Sequence, residues 1–204
     1  MASSCQLFKS DQEDVSKNNG EDQREVVKLQ TKFGDVYIWL YDATPKHKDN
    51  FLKLVGKGFY DSTTFHRVID DFMIQGGDPN SKDDNPSNDG NGGPGYTLEA
   101  EIKDGLKHRY GSVAAARKGD NQNPQRKSNG SQFYIVENRR GAPHLDGKYT
   151  VFGKVIQGMQ VVEDIADKPT NQKNRPKKEI AMQAEIVKMS QEKLKKDFNF
   201  EVPQ

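Results

Sequence analysis

Phe65-His66-Arg67-Val68-Ile69-Asp70-Asp71-Phe72-Met73-Ile74-Gln75-Gly76-Gly77-Asp78 is the stretch that decides how this chain folds. It reads as two paired strands, 64–68 and 72–75. Side chains alternate between the faces of a strand, so Met73 and Gln75 share one face, and Arg67 has the same parity. A second stretch, Asn129-Gly130-Ser131-Gln132-Phe133-Tyr134-Ile135-Val136, puts Gln132 and Tyr134 on one face and Phe133 and Ile135 on the other. If the first faces converge, they form a groove holding a cation, two amides, a thioether and an aromatic ring. A hydrolase needs a nucleophile beside its base, and a metalloenzyme needs clustered ligands. Neither pattern is present.

Outward from these strands the chain stays mostly β. Residues 25–31 and 36–41 make a hairpin around Gly34-Asp35. Thr44-Pro45 resembles an N-cap followed by proline in the first helical turn. Phe51, Leu54 and Val55 recur at helical spacing until Gly56 and Gly58 end the segment. Further strands are expected at 96–100, 112–116, 132–136, 151–155 and 180–187. A second helix is expected at 161–167, with Val161, Val162 and Ile165 on one face. Short strands with two helices indicate an all-β barrel or sandwich with helical caps. Residues 78–95 read as a solvated loop. Its glycines lack the Gly-Lys-Ser/Thr of a phosphate loop, and Lys82 stands where a calcium loop needs an oxygen ligand.

The whole is one domain, 25–189, between a polar tail at 1–24 and a second tail at 190–204. The latter is either a short helix with Leu194 and Phe198 on one face or a loosely docked segment. The 204 residues carry a formal net charge of +1, from 31 Lys and Arg against 30 Asp and Glu. Such a balance lacks the one-sided basic field of a nucleic-acid or anionic-membrane binder. The single cysteine, Cys5, allows no internal disulfide and no cysteine-based metal cluster. No run approaches the roughly 20 apolar residues of a membrane span, and no apolar signal core follows Met1. The default location is cytoplasmic. The alternative is a cell envelope, with the chain anchored by a lipid on Cys5.

The segments FHRVIxxFMIQGGD (65–78), NGSQFYIV (129–136) and LDGKYTVFG (145–153) together resemble the cyclophilin family of peptidyl-prolyl cis-trans isomerases. The resemblance runs in order over roughly 26–188. It implies a mainly β fold, a closed eight-stranded antiparallel barrel capped by two α-helices, with the active groove on its outside. It implies that the chain turns X–Pro bonds in peptides and in unfolded or partly folded proteins, as a monomer, without cofactor or metal. Arg67 matches the family's catalytic arginine. Phe72, Met73, Tyr134 and Leu145 match the walls of its proline pocket, and Gln75 the glutamine that steadies the arginine. Ala116, Arg117 and Gln132 match the part that receives the peptide across the bond.

The chain departs from the best-known pattern at four groove positions. His144 replaces a tryptophan, Tyr149 a histidine, Arg117 an asparagine and Tyr134 a phenylalanine, and residues 120–127 are an extra polar stretch. These features look more like bacterial or divergent members. The missing indole donor at 144 puts cyclosporin binding in doubt. Taken singly, Arg67 reads as a salt-bridged surface residue, and Phe72 and Met73 as core. His66 is expected to be structural, His47 to lie on a helix surface and His108 in a loop, none of them a site. The sequon Asn129-Gly130-Ser131 belongs to the resemblance and reads as accidental. Two other functions stand beside the isomerase: a module that binds proline motifs without turnover, and a scaffold working through its tails.

Overall fold

The computed structural model describes residues 23–83 and 85–203, so the 1–24 tail, apart from Gln23 and Arg24, and the Cys5 anchor lie outside the described residues. In chain order the strands are β1 (Gln23–Thr31), β2 (Gly34–Leu40), β3 (Arg67–Ile69), β4 (Met73–Gly76), β5 (Thr97–Leu98), β6 (Ser112–Ala115), β7 (Ser128–Asn129), β8 (Phe133–Val136), β9 (Val151–Gln157) and β10 (Met182–Ser190). The helices are α1 (Pro45–Gly56), α2 (Met159–Ala166) and α3 (Gln191–Phe198). Eight strands form one sheet in the order β10-β1-β2-β9-β6-β8-β4-β3, antiparallel at every pairing, while β5 and β7 make a separate ribbon.

The sheet curls but does not close, which corrects the expected closed barrel. Its edges are β10 and β3, and the gap between them holds an isolated pairing of Thr64 with Ala181. Backbone bonds from Phe65 to the Ile180 carbonyl (3.0 Å) and from Met182 to the Thr63 carbonyl (2.9 Å) flank it. The seam joins residues 63–65, which precede β3, to residues 180–182, where β10 begins. Only these short segments touch, so no ladder forms.

Alternation sorts the sheet into two faces. Val68, Ile74, Ile135 and Val113 stand in one cross-strand row and point into the main core. Helices α1 and α2 pack onto that core through Phe51, Leu54 and Val55 and through Val162, Ile165 and Ala166. The Phe51 ring meets Phe133 edge-on at 5.3 Å and also touches Tyr60 and Phe152. Truncating such a residue to alanine costs about 3–5 kcal/mol.

Helix α1 starts at Pro45, as the sequence indicates, but Thr44 does not cap it. The Thr44 hydroxyl donates back to the Tyr41 carbonyl at 3.3 Å. The Glu101 carboxylate takes the free N–H groups instead, from Lys46 at 3.2 Å and His47 at 3.0 Å. A negative group at a helix N-terminus satisfies orphan donors and the helix dipole together. His47 is therefore buried beneath this cap, not on the helix surface.

Of the two forms left open for the 190–204 tail, the structure shows the short helix, α3. The Ser190 hydroxyl accepts the Lys193 N–H at 3.1 Å to start it, and Asn199 ends it in the left-handed region. Leu194 is fully buried, the Phe198 ring lies tilted against Tyr37 at 4.9 Å, and Phe200 covers Trp39 at 5.2 Å. Among the described residues no helix is long and apolar enough to cross a membrane.

Candidate active site

The other face of the sheet carries a second cross-strand row: Arg67 opposite Gln75, Gln75 opposite Tyr134, Tyr134 opposite Ala114. The same strand pairs that send Val68 and Ile74 inward thus bring Arg67, Gln75 and Tyr134 together outside. A smaller apolar cluster of Met73, Ala114, Tyr134, Val136 and Val151 lies here, with Phe72, Leu145 and Tyr149 against it. A cavity of about 250 Å³ opens over it, lined by Arg67, Phe72, Met73, Gln75, Ala116, Arg117, Tyr134, Leu145 and Tyr149. His144 is exposed at its rim, with its ring 5.6 Å from that of Phe72.

The polar groups form a chain with one direction. Arg67 Nη1 donates to Gln75 Oε1 at 3.2 Å and lies 4.0 Å from the Met73 sulfur. Gln75 Nε2 donates to Gln132 Oε1 at 3.0 Å, and Gln132 Nε2 donates to the carbonyls of Gly90 (3.1 Å) and Gly92 (2.8 Å). Gln132 therefore anchors the relay, and it lines an adjoining hollow of about 310 Å³ with Gln75, Ala116 and Arg117 rather than the cavity itself. Burial pulls the Arg67 pKa down from its ordinary value and Tyr149 opposes that, but a guanidinium remains a cation at neutral pH.

Those carbonyls are fixed because the 78–95 loop is not simply solvated. Its root is built on Asp78, fully buried, whose carboxylate accepts N–H groups from Asn80 (2.8 Å), Gly92 (3.2 Å) and Gly90. A Cβ at position 92 would collide with Asp78 Oδ1, so only glycine fits. This role was not legible in composition, which shows only many Asp, Asn and Gly.

Tyr134 brings a hydroxyl into a buried site, where it needs a partner. Burial raises its pKa strongly. The partner is His108, whose Nε2 lies 2.9 Å from the hydroxyl, while its Nδ1 lies 2.8 Å from Asp146 Oδ1. Burial holds the His108 pKa below its usual value although Asp146 opposes this, so the ring is neutral. An ionised carboxylate only accepts. Nδ1 therefore carries the proton, and the Tyr134 hydroxyl donates to Nε2. His108, which the sequence suggested was a loop residue without a role, fixes the floor of the cavity. Its only sequence signal was the tyrosine at 134.

A comparable chain runs from Ser128 Oγ to His47 Nε2 (2.9 Å) and from His47 Nδ1 to Glu101 (2.6 Å). The spacing is that of a nucleophile, base and acid. Ser128 is only 1% exposed, however, so no substrate reaches it. The chain ties β7 to α1.

The family model for "Cyclophilin type peptidyl-prolyl cis-trans isomerase/CLD" matches residues 26–186. This chain belongs to the cyclophilin family. The cyclophilin is 41% identical over 161 residues to peptidyl-prolyl cis-trans isomerase CYP18-1 of Arabidopsis thaliana, covering 76% of this chain and 91% of that one. It is 40% identical over 168 residues to peptidyl-prolyl cis-trans isomerase-like 1 of Neurospora crassa, covering 79% and 94%. A crystal structure of a Cryptosporidium parvum cyclophilin-type isomerase in the presence of the dipeptide Ala-Pro superposes with a TM-score of 0.69. Its identity is 34%, with 81% of this chain and 99% of that chain covered. The enzyme class read from the sequence, a peptidyl-prolyl cis-trans isomerase, stands.

Proposed function

We propose that this cyclophilin accelerates rotation about X–Pro bonds in peptides and in unfolded or partly folded proteins, with Arg67 stabilising the twisted transition state. Amide resonance sets a rotation barrier of about 18–20 kcal/mol, and uncatalysed X–Pro exchange takes tens to hundreds of seconds. In the twisted state resonance is lost and the proline nitrogen gains a usable lone pair. A donor aimed at that nitrogen bonds weakly to the planar ground state and strongly to the twisted one. That difference is what lowers a barrier.

One observation carries the reading: a guanidinium braced by Gln75 and Met73 at the mouth of an apolar cavity of about 250 Å³. Bracing orients the donor beforehand, which is where electrostatic catalysis gains most. Phe72, Met73, Tyr134 and Leu145 hold the proline ring in this account, and Ala116 and Arg117 flank the peptide beyond it. No covalent bond forms or breaks, so the step calls on no cofactor. A module that only binds proline needs the apolar walls but not the braced cation. Exchange spectroscopy on a short X–Pro peptide, with the unaltered protein and Arg67→Ala, tests the proposal. Exchange at the uncatalysed rate in the presence of folded, unaltered protein overturns it. In the same reading cyclosporin binds weakly, because His144 offers no indole N–H.

A further inference from the structure

A second hollow, of about 640 Å³, shares Arg67 and Gln75 with the proline cavity and none of its apolar walls. Its other walls come from two loops, 86–90 and 171–175, together with His66. The charges around it do not cancel. Arg175 is taken up by Asp89 and, at 3.1 Å, by Glu179. One guanidinium shared by two carboxylates leaves that trio a formal charge of −1, against the two further cations of the wall, Arg67 and Lys173. Arg67 and the exposed Lys173 are left without an acidic partner among the described residues. His66 forms part of the wall and is 6% exposed; both ring nitrogens are buried beside Gly90 without a hydrogen-bond partner, so a ligand meets its N–H only when the ring or that backbone shifts. Buried polar atoms are rarely left unpaired, and each such case calls for an explanation. Burial keeps this imidazole neutral, against the pull of Asp78, so in either tautomer it offers one N–H.

We propose that this hollow is a subsite for an acidic side chain of the peptide substrate, flanking the proline, with Lys173 as counter-charge and His66 as hydrogen-bond donor. The proposal rests on the isomerase reading, because the peptide in the proline groove carries the acid into place. An extended peptide advances about 3.3 Å per residue, so a residue one to three positions from the proline reaches a neighbouring hollow. Lys173 is exposed, and an exposed ion pair contributes modestly. The expected gain is therefore about two- to five-fold in affinity, and it is screened by salt.

The test uses peptides with one proline in an alanine background. Glutamate is moved through the three positions on each side of it, and each peptide is matched by a glutamine control. Affinity is measured by calorimetry and catalysed exchange by NMR, for the unaltered protein and Lys173→Glu. At least one glutamate placement should bind about two- to five-fold tighter than its control at low salt. Lys173→Glu should abolish or reverse that gain and leave the glutamine peptides unchanged. The His66 ring resonances should move only with the favoured glutamate peptide. The subsite is overturned if no glutamate peptide exceeds its control, if the gain survives Lys173→Glu, or if His66 does not respond. Absence of catalysis with every peptide would count against the isomerase reading instead, and the calorimetric comparison would still decide the subsite.

Discussion

The Arg117 guanidinium lies 4.4 Å from the centre of the Tyr149 ring. Its side chain is 3% exposed and meets Asp120 at 2.7 Å, while Nε and Nη1 donate to the carbonyls of Lys148 and Lys118, both at 2.8 Å. The two residues are therefore one unit in the groove wall. Arg117→Asn and Tyr149→His should be coupled in stability by about 0.5–2 kcal/mol in a double-mutant cycle. Denaturant unfolding of the four proteins measures this. Additive effects would mean the contact carries no energy.

Arg67→Ala should reduce catalysed exchange on the order of 10²–10³-fold, as loss of a transition-state donor does. Peptide affinity should fall much less, because the walls formed by Phe72, Met73, Tyr134 and Leu145 are untouched. Arg67→Lys should not restore the rate, since an ammonium lacks the planar fork. Proportional losses of rate and affinity would make Arg67 a general binding residue.

Removing the Tyr134 hydroxyl isolates a different role. Tyr134→Phe leaves His108 Nε2 buried without a partner, which should cost about 1–3 kcal/mol of stability. The ring that lines the cavity is retained, so turnover of a short peptide should scarcely change. Urea melts and exchange rates on one preparation separate the two effects. A large loss of turnover with normal stability would place the hydroxyl in the chemistry.

Stability should fall on mild acidification. Burial holds His47, His66 and His108 below the ordinary imidazole value, so each stays neutral when folded. In the unfolded chain they take up protons near pH 6.5. Their contribution is thus full above about pH 6.5 and is lost as the pH falls through the folded values. For Glu101 and Asp146, burial pushes the pKa upward, but hydrogen bonds from His47 and His108 outweigh it and leave both lowered. Their contribution is lost further down, below about pH 4. Denaturant midpoints from pH 7.5 to 5 check the first loss, and a flat profile would contradict it.

Cyclosporin probes the rim. His144→Trp should strengthen its binding by restoring the indole donor, and calorimetric titration of both proteins measures the difference. Tight binding by the unaltered protein would show that position 144 does not govern this ligand.

What the sequence made legible was whatever lies in local pattern. The parity of Arg67, Met73 and Gln75 gave the face of the groove, because alternation survives any tertiary context. Leu194 and Phe198 share the packed face of α3, but their spacing alone left helix and loosely docked tail both open. Closure was misread because it depends on where β3 and β10 end, which no periodicity encodes. The His108–Tyr134 bond joins residues 26 apart, and Glu101 caps a helix 54 positions earlier. Such partners are chosen by the completed fold. The hollow beside His66 was invisible for the same reason, since its walls come from two loops distant in sequence.

Trp39 is the chain's single tryptophan, and it lies under Phe200 in the cluster that α3 seals, apart from the one beneath the proline cavity. Its fluorescence is therefore an optical reporter on the carboxy-terminal segment. Emission will follow detachment of α3 and Phe200 as water reaches the indole, and ligand entering the groove will pass unseen. A tryptophan-detected melt of this protein reads the seating of its last helix before it reads the sheet.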